Sequence, residues 1–458
     1  MKKSFIILIS MIAAGCADST NQDAKESQKV KLITLDPGHF HSALVQKSMY
    51  ADVDSVVHVY APEGTDVQLH LEKIESYNSR AEDPTKWKEE VYLGDDFMEK
   101  MLSEKKGNVV MLAGNNLKKT EYIKRSIAEG FNVYADKPMA IDSKSFEELK
   151  QVFSEAKRKK LLLYDIMTER FEINTMLQKE FSLIPEVFGT LEKGTAENPA
   201  VTKESVHHFY KYVSGSVLTR PTWFFDVAQE GEGIVDVTTH LVDLIQWECF
   251  PDQIIDYKKD IQITNSTRAS TDISLSQFQA MTKVNVFPEY LNKYVERDSI
   301  LKVFSNGEFN YKIRDVHAKV SVKWAFKAPE GTADTHYSIM RGTLANLVIR
   351  QGADQLYKPA LYIEPIGGAT STFSEKLNAK IKDVQKKYPG VELKKLGKGW
   401  EVIVPEKYKE SHEAHFAKVT EKFLEYLKNG NIPAWEVPNM IAKYYTTTQA
   451  LELAKKSK

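Results

Sequence analysis

The sequence predicts an α/β protein with an N-terminal parallel sheet and a C-terminal α+β domain whose sheet is largely antiparallel. Two observations support this fold class. Over residues 30–165, short apolar runs alternate with amphipathic helical stretches, which is typical of parallel strands joined by crossover helices. After about residue 170, strand-like runs predominate and helical stretches become rare. A chain of 458 residues can hold two or three domains.

The first half contains five predicted strands, and helical patterns separate most of them. The strands are predicted at residues 31–35, 55–60, 108–113, 131–135 and 161–164. Helices are predicted at residues 42–50, 119–129 and 143–157, with Gly130 as the C-terminal stop of the second. Residues 64–87 interrupt the alternation as a polar, partly helical insertion.

The second half reads as a sheet with two internal helices and a helical tail. Its main predicted strands span residues 206–213, 261–265, 318–322, 344–350 and 400–404. Helices are predicted at residues 234–247 and 373–387, and in the tail at 410–428 and 437–456. We expect the tail to pack back on the first domain.

Composition sets limits on the class of protein. An apolar content of 42% and a charged content of 27% are ordinary for a globular protein. A net charge of −1 gives no attraction to nucleic acid or to an anionic membrane surface. Apart from Cys16, Cys249 is the only cysteine; we expect it to be a small core residue.

The N-terminus resembles an exported lipoprotein. Two lysines precede an apolar run, and Ala13-Ala14-Gly15-Cys16 follows it, which predicts a signal peptide over residues 1–15. The ending resembles a bacterial lipobox, which implies a lipid on Cys16; the alternative is an ordinary signal peptide with an incidental cysteine. Residues 16–29 are polar and predict a flexible tether. We therefore expect a protein anchored in the cell envelope, facing the periplasm or the surface.

Asp136-Lys137-Pro138 directly follows the fourth predicted strand. The carboxyl end of a strand in an open α/β sheet is where ligands usually bind. Proline disfavours the helical conformation at Lys137, and a lysine directed at a cleft can polarise a substrate oxygen. The alternative is a salt-bridged surface turn.

Asp236, His240 and Asp243 are spaced to share one helix face, after the turn Gly231-Glu232-Gly233. A carboxylate one turn from an imidazole orients the ring and suits it to act as a general base. The alternatives are a capping aspartate with a core histidine, or a metal pair.

His207 and His208 are adjacent in a predicted strand. Adjacent strand residues face opposite sides of a sheet, so the two imidazoles cannot easily share one metal ion. No metal site is predicted in the chain.

The turn after the first predicted strand occupies the place of a dinucleotide fingerprint. Such a fingerprint has glycines at the positions that are Asp36, Gly38 and His41 here. Only the middle glycine is present, which is the one that lets the backbone approach phosphate. Alone, the turn is weak evidence for a nucleotide site.

In order and spacing, these motifs resemble the glucose–fructose oxidoreductase, inositol dehydrogenase and rhizopine-catabolism (Gfo/Idh/MocA) family of NAD(P)-dependent oxidoreductases. The family's E-K-P signature matches Asp136-Lys137-Pro138, with aspartate in place of glutamate. Its arginine after the next strand matches Arg170, and its glycine-rich turn into a D-x-x-x-H-x-x-D helix matches residues 231–243. The tail resembles a C-terminal type found in lipoprotein members of Bacteroidetes-like bacteria.

The resemblance implies a Rossmann-type domain over residues 30–165, a substrate and oligomerisation domain over residues 166–458, and NAD or NADP as cofactor. It implies that Lys137 and His240 flank the reacting carbinol and that Asp236 supports them. The implied cofactor-binding residues are Pro37, Gly38, His39, Phe40, Gly114, Asn115, Asn116, Asp136 and Lys137. The candidate substrate residues are Arg170, Trp223 and Asp243, although Trp223 is equally well read as a core residue.

These observations favour an oxidoreductase that acts on a hydroxyl of a sugar, polyol or glycoside with a tightly held cofactor. One alternative is redox-assisted glycoside cleavage through a transient 3-keto sugar. Another is a non-catalytic carbohydrate-binding lipoprotein. The expected partners are a small carbohydrate, a membrane through the lipid on Cys16, and a second copy of the chain in a homo-oligomer.

Overall fold

A computed structural model describes residues 29–213, 216–330 and 332–457, and it divides most of the strands between two sheets. The predicted signal peptide and Cys16 lie outside the described residues. The predicted fold class is confirmed: a parallel sheet comes first, and a mixed, mostly antiparallel sheet follows.

The first sheet is parallel and has the strand order β3-β2-β1-β4-β5-β6. Its strands are β1 Leu32–Leu35, β2 Val56–Ala61, β3 Lys88–Leu93, β4 Val109–Leu112, β5 Asn132–Asp136 and β6 Leu163–Ile166. Its helices are α1 His41–Val45, α2 Thr65–Ser79, α3 Phe97–Glu104, α4 Asn116–Ala128 and α5 Ser143–Lys159. The strand order reverses between β1 and β4, so the carboxyl ends of these strands border the crevice where open α/β sheets bind ligands.

All five predicted strands of this sheet are present, but β3 was not predicted. It is an edge strand that pairs only with β2, with Val56 opposite Lys88. None of its side chains is buried, so the strand lacks the apolar alternation that identifies a half-buried strand.

The helix α5 illustrates how local sequence sets the helix bounds. Asp142 caps its first turn by accepting from the backbone N–H of Ser145. A stripe of apolar side chains then faces the sheet, and Lys160 ends the helix in the left-handed conformation.

The second sheet has the strand order β10-β12-β13-β7-β14-β15-β16-β18-β17. Its strands are β7 Val201–Tyr210, β10 Ile261–Ser274, β11 Val295–Glu296, β12 Ile300–Ile313, β13 Val316–Lys327, β14 Thr335–Arg341, β15 Ala345–Arg350, β16 Ala360–Pro365, β17 Glu392–Lys395 and β18 Trp400–Ile403, and a separate hairpin pairs β8 Tyr212–Val213 with β9 Ser216–Val217. Only β13 and β7 pair in parallel; the other described pairs are antiparallel. The helices of this half are α6 Ile173–Ser182, α7 Pro185–Phe188, α8 Thr238–Cys249, α9 Tyr257–Asp260, α10 Leu275–Thr282, α11 Ser371–Lys387, α12 His412–Asn429 and α13 Glu436–Lys456.

The long strand β12 was not predicted, because Asn306-Gly307 in its middle is a typical turn signal. The glycine has a packing reason instead. A Cβ atom on Gly307 would lie 2.3 Å from Cγ1 of Ile234, so the side chain of Ile234 fills the space that the glycine leaves. This contact holds the segment before α8 against the sheet.

The tail helices bury side chains in both halves, and α12 packs on the first sheet as the sequence predicts. The ring of Phe423 stacks on Tyr134 of β5 with 4.5 Å between ring centroids. The helix α13 places Tyr444 in the first core and Leu451 in the second. Among the residues that the structure describes, every helix is too short or too polar to cross a bilayer.

Candidate active site

The carboxyl end of β5 meets the segment before α8 at a buried ion pair. Nζ of Lys137 donates to Oδ1 of Asp236 at 2.5 Å, and the two side chains are only 9% and 8% exposed. The Lys137–Pro138 peptide bond is cis. Two residues predicted as catalytic from separate halves of the chain are therefore in direct contact.

Close packing against β12 positions Asp236. A Cβ atom on Gly233 would lie 1.9 Å from the carbonyl oxygen of Ser305, so only glycine allows this approach. Gly231 adopts a φ of +99°, a conformation that side chains disfavour. The turn is therefore close-packed, and it brings Asp236 to the sheet edge.

The charges of the ion pair stabilise each other despite burial. Burial disfavours the charged form of Lys137, but the carboxylates of Asp236 and Asp136 outweigh it and raise the pKa of Lys137. Burial would raise the pKa of Asp236, and the ammonium of Lys137 reverses this and lowers it. The neighbouring Glu230 differs, because burial and then the charge of Asp236 hold its pKa well above the usual range. The site thus combines an ion pair with a carboxyl group whose pKa is raised.

His240 lies in the first turn of α8, next to this ion pair. Burial, and after it the charge of Lys137, hold the pKa of His240 well below its usual range. Its Nδ1 atom is buried and has no hydrogen-bond partner among the described residues. The imidazole is therefore neutral and has a free ring nitrogen.

The predicted pairing of Asp236 with His240 along one helix face differs from the structure. The helix begins at Thr238, so Asp236 precedes it and its carboxylate contacts Lys137 instead. Asp243 contacts Arg170, a residue of the first turn after β6. The glycine-rich entry delays the start of the helix, which the spacing of the three residues did not reveal.

Two histidines of the turn after β1 converge on Asp136. Nδ1 of His39 lies 3.1 Å, and Nδ1 of His41 2.9 Å, from the same oxygen, Oδ2 of Asp136. Burial lowers the pKa of both imidazoles, while the two histidines together outweigh burial and hold the pKa of Asp136 well below its usual range. The other oxygen of Asp136 is buried without a hydrogen-bond partner.

The backbone N–H groups of this turn donate to the loop after β4. The N–H groups of Gly38 and His39 donate to the carbonyl of Ala113 at 3.2 and 3.0 Å, and Pro37 is buried. The indole of Trp223 lies over Gly38, where a Cβ atom would be 3.1 Å from the ring, and its Nε1 donates to Asp66 at 2.7 Å. The missing side chain of Gly38 thus makes room for Trp223.

The loop after β4 is covered by residues 229–230. Asn115 donates to the side chain of Gln229 at 2.7 Å, and Asn116 donates to the backbone carbonyl of Glu230 at 2.8 Å. Gly114 packs on the backbone of the turn, where a Cβ atom would lie 2.2 Å from the carbonyl oxygen of Asp36. The predicted cofactor residues of this loop therefore contact the second domain.

A cavity of about 300 Å³ opens beside the turn, between α2 and residues 216–224. Gly38, His39 and Phe40 line it, all three predicted as cofactor residues. Lys73 and Arg220 bring positive charge to its walls, and Asp66 and Glu72 bring negative charge. The cavity suits a small ligand with polar and apolar portions.

Arg170 and Asp243 join a buried ion network. Arg170 donates to Asp243 at 2.6 Å and to Glu436 at 2.9 Å. Nζ of Lys443, fully buried, lies 2.8 Å from Asp243 and 2.7 Å from Asp165. These contacts tie the tail to both halves, and the substrate role of Arg170 and Asp243 stays a prediction that no described contact supports.

The adjacent histidines of β7 share one partner, which the alternation of strand side chains did not predict. Nδ1 of His208 lies 3.0 Å from one oxygen of Asp334, and Nδ1 of His207 lies 3.2 Å from the other. Lys211 also donates to Asp334 at 3.0 Å. Asp334 reaches both imidazoles because it approaches the end of the strand from a loop.

Sequence reasoning did not identify Glu230, Asp334 or Arg220 as neighbours of the site. Glu230 directly precedes the glycine-rich turn, and that position is the only local signal for it. Arg220 donates to the backbone carbonyls of Phe209 and His208, and Asp334 sits on a loop. Their proximity depends on tertiary packing, which no spacing in the sequence encodes.

Comparisons with known proteins agree with this architecture. Residues 177–455 match a family model described as "Putative oxidoreductase C terminal domain". The crystal structure of a "putative oxidoreductase" from Parabacteroides merdae is 57% identical, with a TM-score of 0.92, and the match covers 94% of this chain and 98% of that one. No curated protein matches the chain.

More distant structures share the fold. A levoglucosan dehydrogenase in complex with NADH is 11% identical, with a TM-score of 0.59 and coverage of 93% of this chain and 97% of that one. A "putative myo-inositol dehydrogenase" from Sinorhizobium meliloti is 12% identical, with a TM-score of 0.54 and coverage of 94% and 98%.

Proposed function

Because the chain belongs to the Gfo/Idh/MocA-type oxidoreductases, we propose that it transfers hydride between a nicotinamide cofactor, NAD or NADP, and a hydroxyl-bearing carbon of a sugar, polyol or glycoside. The observation that carries the proposal is the contact of Lys137 with Asp236 beside the neutral His240. The bound cofactor supplies the hydride chemistry. The side chains bind the substrate oxygen and accept the hydroxyl proton.

Lys137 and His240 divide this work. The ammonium of Lys137 donates a hydrogen bond to the substrate oxygen and stabilises the negative charge that develops there. His240 accepts the hydroxyl proton at a ring nitrogen, since burial keeps the ring neutral. Asp236 holds the ammonium in place and keeps it protonated.

We place part of the dinucleotide in the cavity beside the turn. Gly38, His39 and Phe40 would hold it from the first domain. Lys73 and Arg220 would lie near its phosphates, with Asp66 and Glu72 on the same walls. Trp223 lies over the turn after β1, and residues 229–230 cover the loop after β4. This enclosure supports the proposal of a tightly retained cofactor.

The first experiment tests retention of the cofactor. Purified full-length protein is denatured, and the released ligand is identified by mass spectrometry; we expect NAD(H) or NADP(H). No released nicotinamide, together with no thermal shift on adding either cofactor, would refute the enzyme and favour a non-catalytic carbohydrate-binding protein.

A second experiment tests the two catalytic residues. Lys137→Ala and His240→Ala should each abolish turnover of a sugar or polyol substrate in protein that still folds and keeps the bound cofactor. Lys124→Ala, which removes an exposed lysine of α4, is the matched control and should retain activity. Full activity in both site variants would refute the assigned roles.

One observation favours redox-assisted glycoside cleavage as a second candidate. Elimination of a glycosidic bond from a keto sugar needs an acid for the leaving oxygen, and burial and the charge of Asp236 raise the pKa of Glu230 beside the ion pair. An incubation with simple glycosides, analysed for released aglycone, distinguishes cleavage from oxidation alone.

We also propose that the protein is anchored in the cell envelope through Cys16. The lipobox-like residues 13–16 support this. Metabolic labelling with a fatty-acid analogue should modify the natural chain and not Cys16→Ala; equal labelling of both would refute the anchor.

A further inference from the structure

We infer that His39, His41 and Asp136 form a binding site for a divalent transition-metal ion. One ligand atom from each side chain lies within 4.8 Å of the other two. This inference goes beyond the proposed hydride transfer; it shares His39 with the cavity assigned to the cofactor, and its test measures metal binding and not turnover.

The geometry of the cluster is already close to a coordination sphere. Nδ1 of His39 and Nδ1 of His41 approach Oδ2 of Asp136 at 3.1 and 2.9 Å. Ligands around a tetrahedral zinc ion at metal–ligand distances of about 2.0–2.1 Å are separated by roughly 3.3 Å. Small side-chain movements would therefore open the cluster enough to admit the ion.

Hydrogen bonding alone leaves the cluster incompletely satisfied. Both imidazoles converge on one oxygen of Asp136, while the other oxygen, Oδ1, is buried without a partner. Asp136 is only 2% exposed, and a buried carboxylate oxygen without a hydrogen bond is costly. An ion bound by the carboxylate would offset the negative charge of this buried group.

The donor set identifies the class of ion. Two imidazole nitrogens and one carboxylate oxygen suit zinc and its first-row neighbours better than calcium or magnesium, which prefer oxygen ligands. Three protein ligands leave one position open, as in catalytic zinc sites.

A second cluster, of His207, His208 and Asp334, lacks the convergence of ligand atoms seen in the first. His207 and His208 contact different oxygens of Asp334, so their nitrogens do not converge on one point. Lys211 also donates to Asp334, and its ammonium occupies the position of a cation. This cluster therefore provides a matched control of the same composition.

The chain also provides outer contacts that hold the ligand set in place. The carbonyl of Asp136 accepts from Nζ of Lys119 at 3.0 Å, which fixes the backbone of the carboxylate ligand. The ring of Phe416 packs against His41 with 4.7 Å between ring centroids. Such outer contacts typically orient metal ligands.

The test is metal binding by the full-length protein. The protein is treated with a chelator, and Zn²⁺ and Co²⁺ are then titrated separately, with bound metal measured by inductively coupled plasma mass spectrometry. We expect one ion per chain, and a Co²⁺ absorption spectrum of a four-coordinate site with nitrogen and oxygen ligands.

Variants assign the site. His41→Ala and Asp136→Asn should each weaken binding by more than about 100-fold, whereas His208→Ala should bind as the unchanged protein does. Should His41→Ala fail to fold, X-ray absorption of the unchanged protein decides, because it should detect two imidazoles around the metal. The inference is overturned by no stoichiometric metal, or by equal binding in Asp136→Asn and the natural chain. Since no step uses turnover, an inactive enzyme that binds metal would refute only the proposed function.

Discussion

Lys137 pairs with Asp236, which lies 99 positions later in the chain. Asp236 sets the charge state of the lysine, because burial by itself would lower the pKa of that ammonium. One carboxylate therefore decides whether a cation is available at the end of β5. That dependence can be measured.

Asp236→Asn should lower the pKa of Lys137, since burial then acts with less opposition. A reaction that needs the ammonium should lose activity on the alkaline side at a lower pH than in the natural chain, and kcat should fall about 100-fold at neutral pH. A pH–rate profile tests this. An unchanged alkaline limb would mean that Lys137 does not act as a cation.

Glu230→Gln should leave simple alcohol oxidation within about threefold of the natural chain, because the raised pKa of this carboxyl favours its uncharged form, which glutamine resembles. The same change should abolish glycoside cleavage if Glu230 protonates the leaving oxygen. Parallel assays with a polyol and a glycoside test both expectations. A large loss with the polyol would show that Glu230 ionises during oxidation.

Individual site residues differ in how far the sequence predicts them. Lys137 and Asp136 follow a clear strand, and His240 follows a clear glycine-rich turn, so local pattern identifies them. The ion pair of Arg170 with Asp243 and the position of Asp334 arise from tertiary contacts, for which the sequence offers no periodic signal. The convergence of His39 and His41 on Asp136 likewise depends on how β1 and β5 lie in the sheet.

At the level of elements, the segment before α8 depends on a close backbone contact that a side chain would block. The absent side chain of Gly233 lets the segment touch the backbone of β12 at Ser305. The glycines of residues 231–233 are visible in the sequence, but β12 is not, because Asn306-Gly307 in its middle is a typical turn signal.

Gly233→Ala should lower the free energy of unfolding by about 1–3 kcal/mol and reduce activity, because the new methyl group displaces the segment that carries Asp236. Urea unfolding and steady-state kinetics test the two effects. Gly397→Ala is the matched control, since a Cβ atom there meets nothing within 4 Å. Equal stability of the two variants would contradict the packing argument.

At the level of the molecule, the tail completes the first sheet. Phe423 and Tyr444 belong to the same core as β4 and β5, and the helical pattern of the tail together with its apolar positions predicted that it packs back. The sequence could not predict Lys443, which is fully buried between Asp165 and Asp243, because a lone lysine in a helix is normally exposed.

Phe423→Ala should therefore destabilise the first domain, by about 3–5 kcal/mol, although the residue lies nearly 300 positions from Tyr134, on which it stacks. Hydrogen exchange should accelerate in β5 and β6. Leu183→Ala, at a position that is 52% exposed, serves as the control and should change little. Unaltered exchange in β5 would refute a shared core.

The tail contact also sets the order in which a newly made chain can reach its native state. A ribosome releases the first sheet early, but the rings that cover β5 belong to α12 and α13, which are synthesised only after the second sheet. Until then an apolar face of the nascent sheet stays uncovered. The first sheet therefore cannot complete its core before the second sheet has been made.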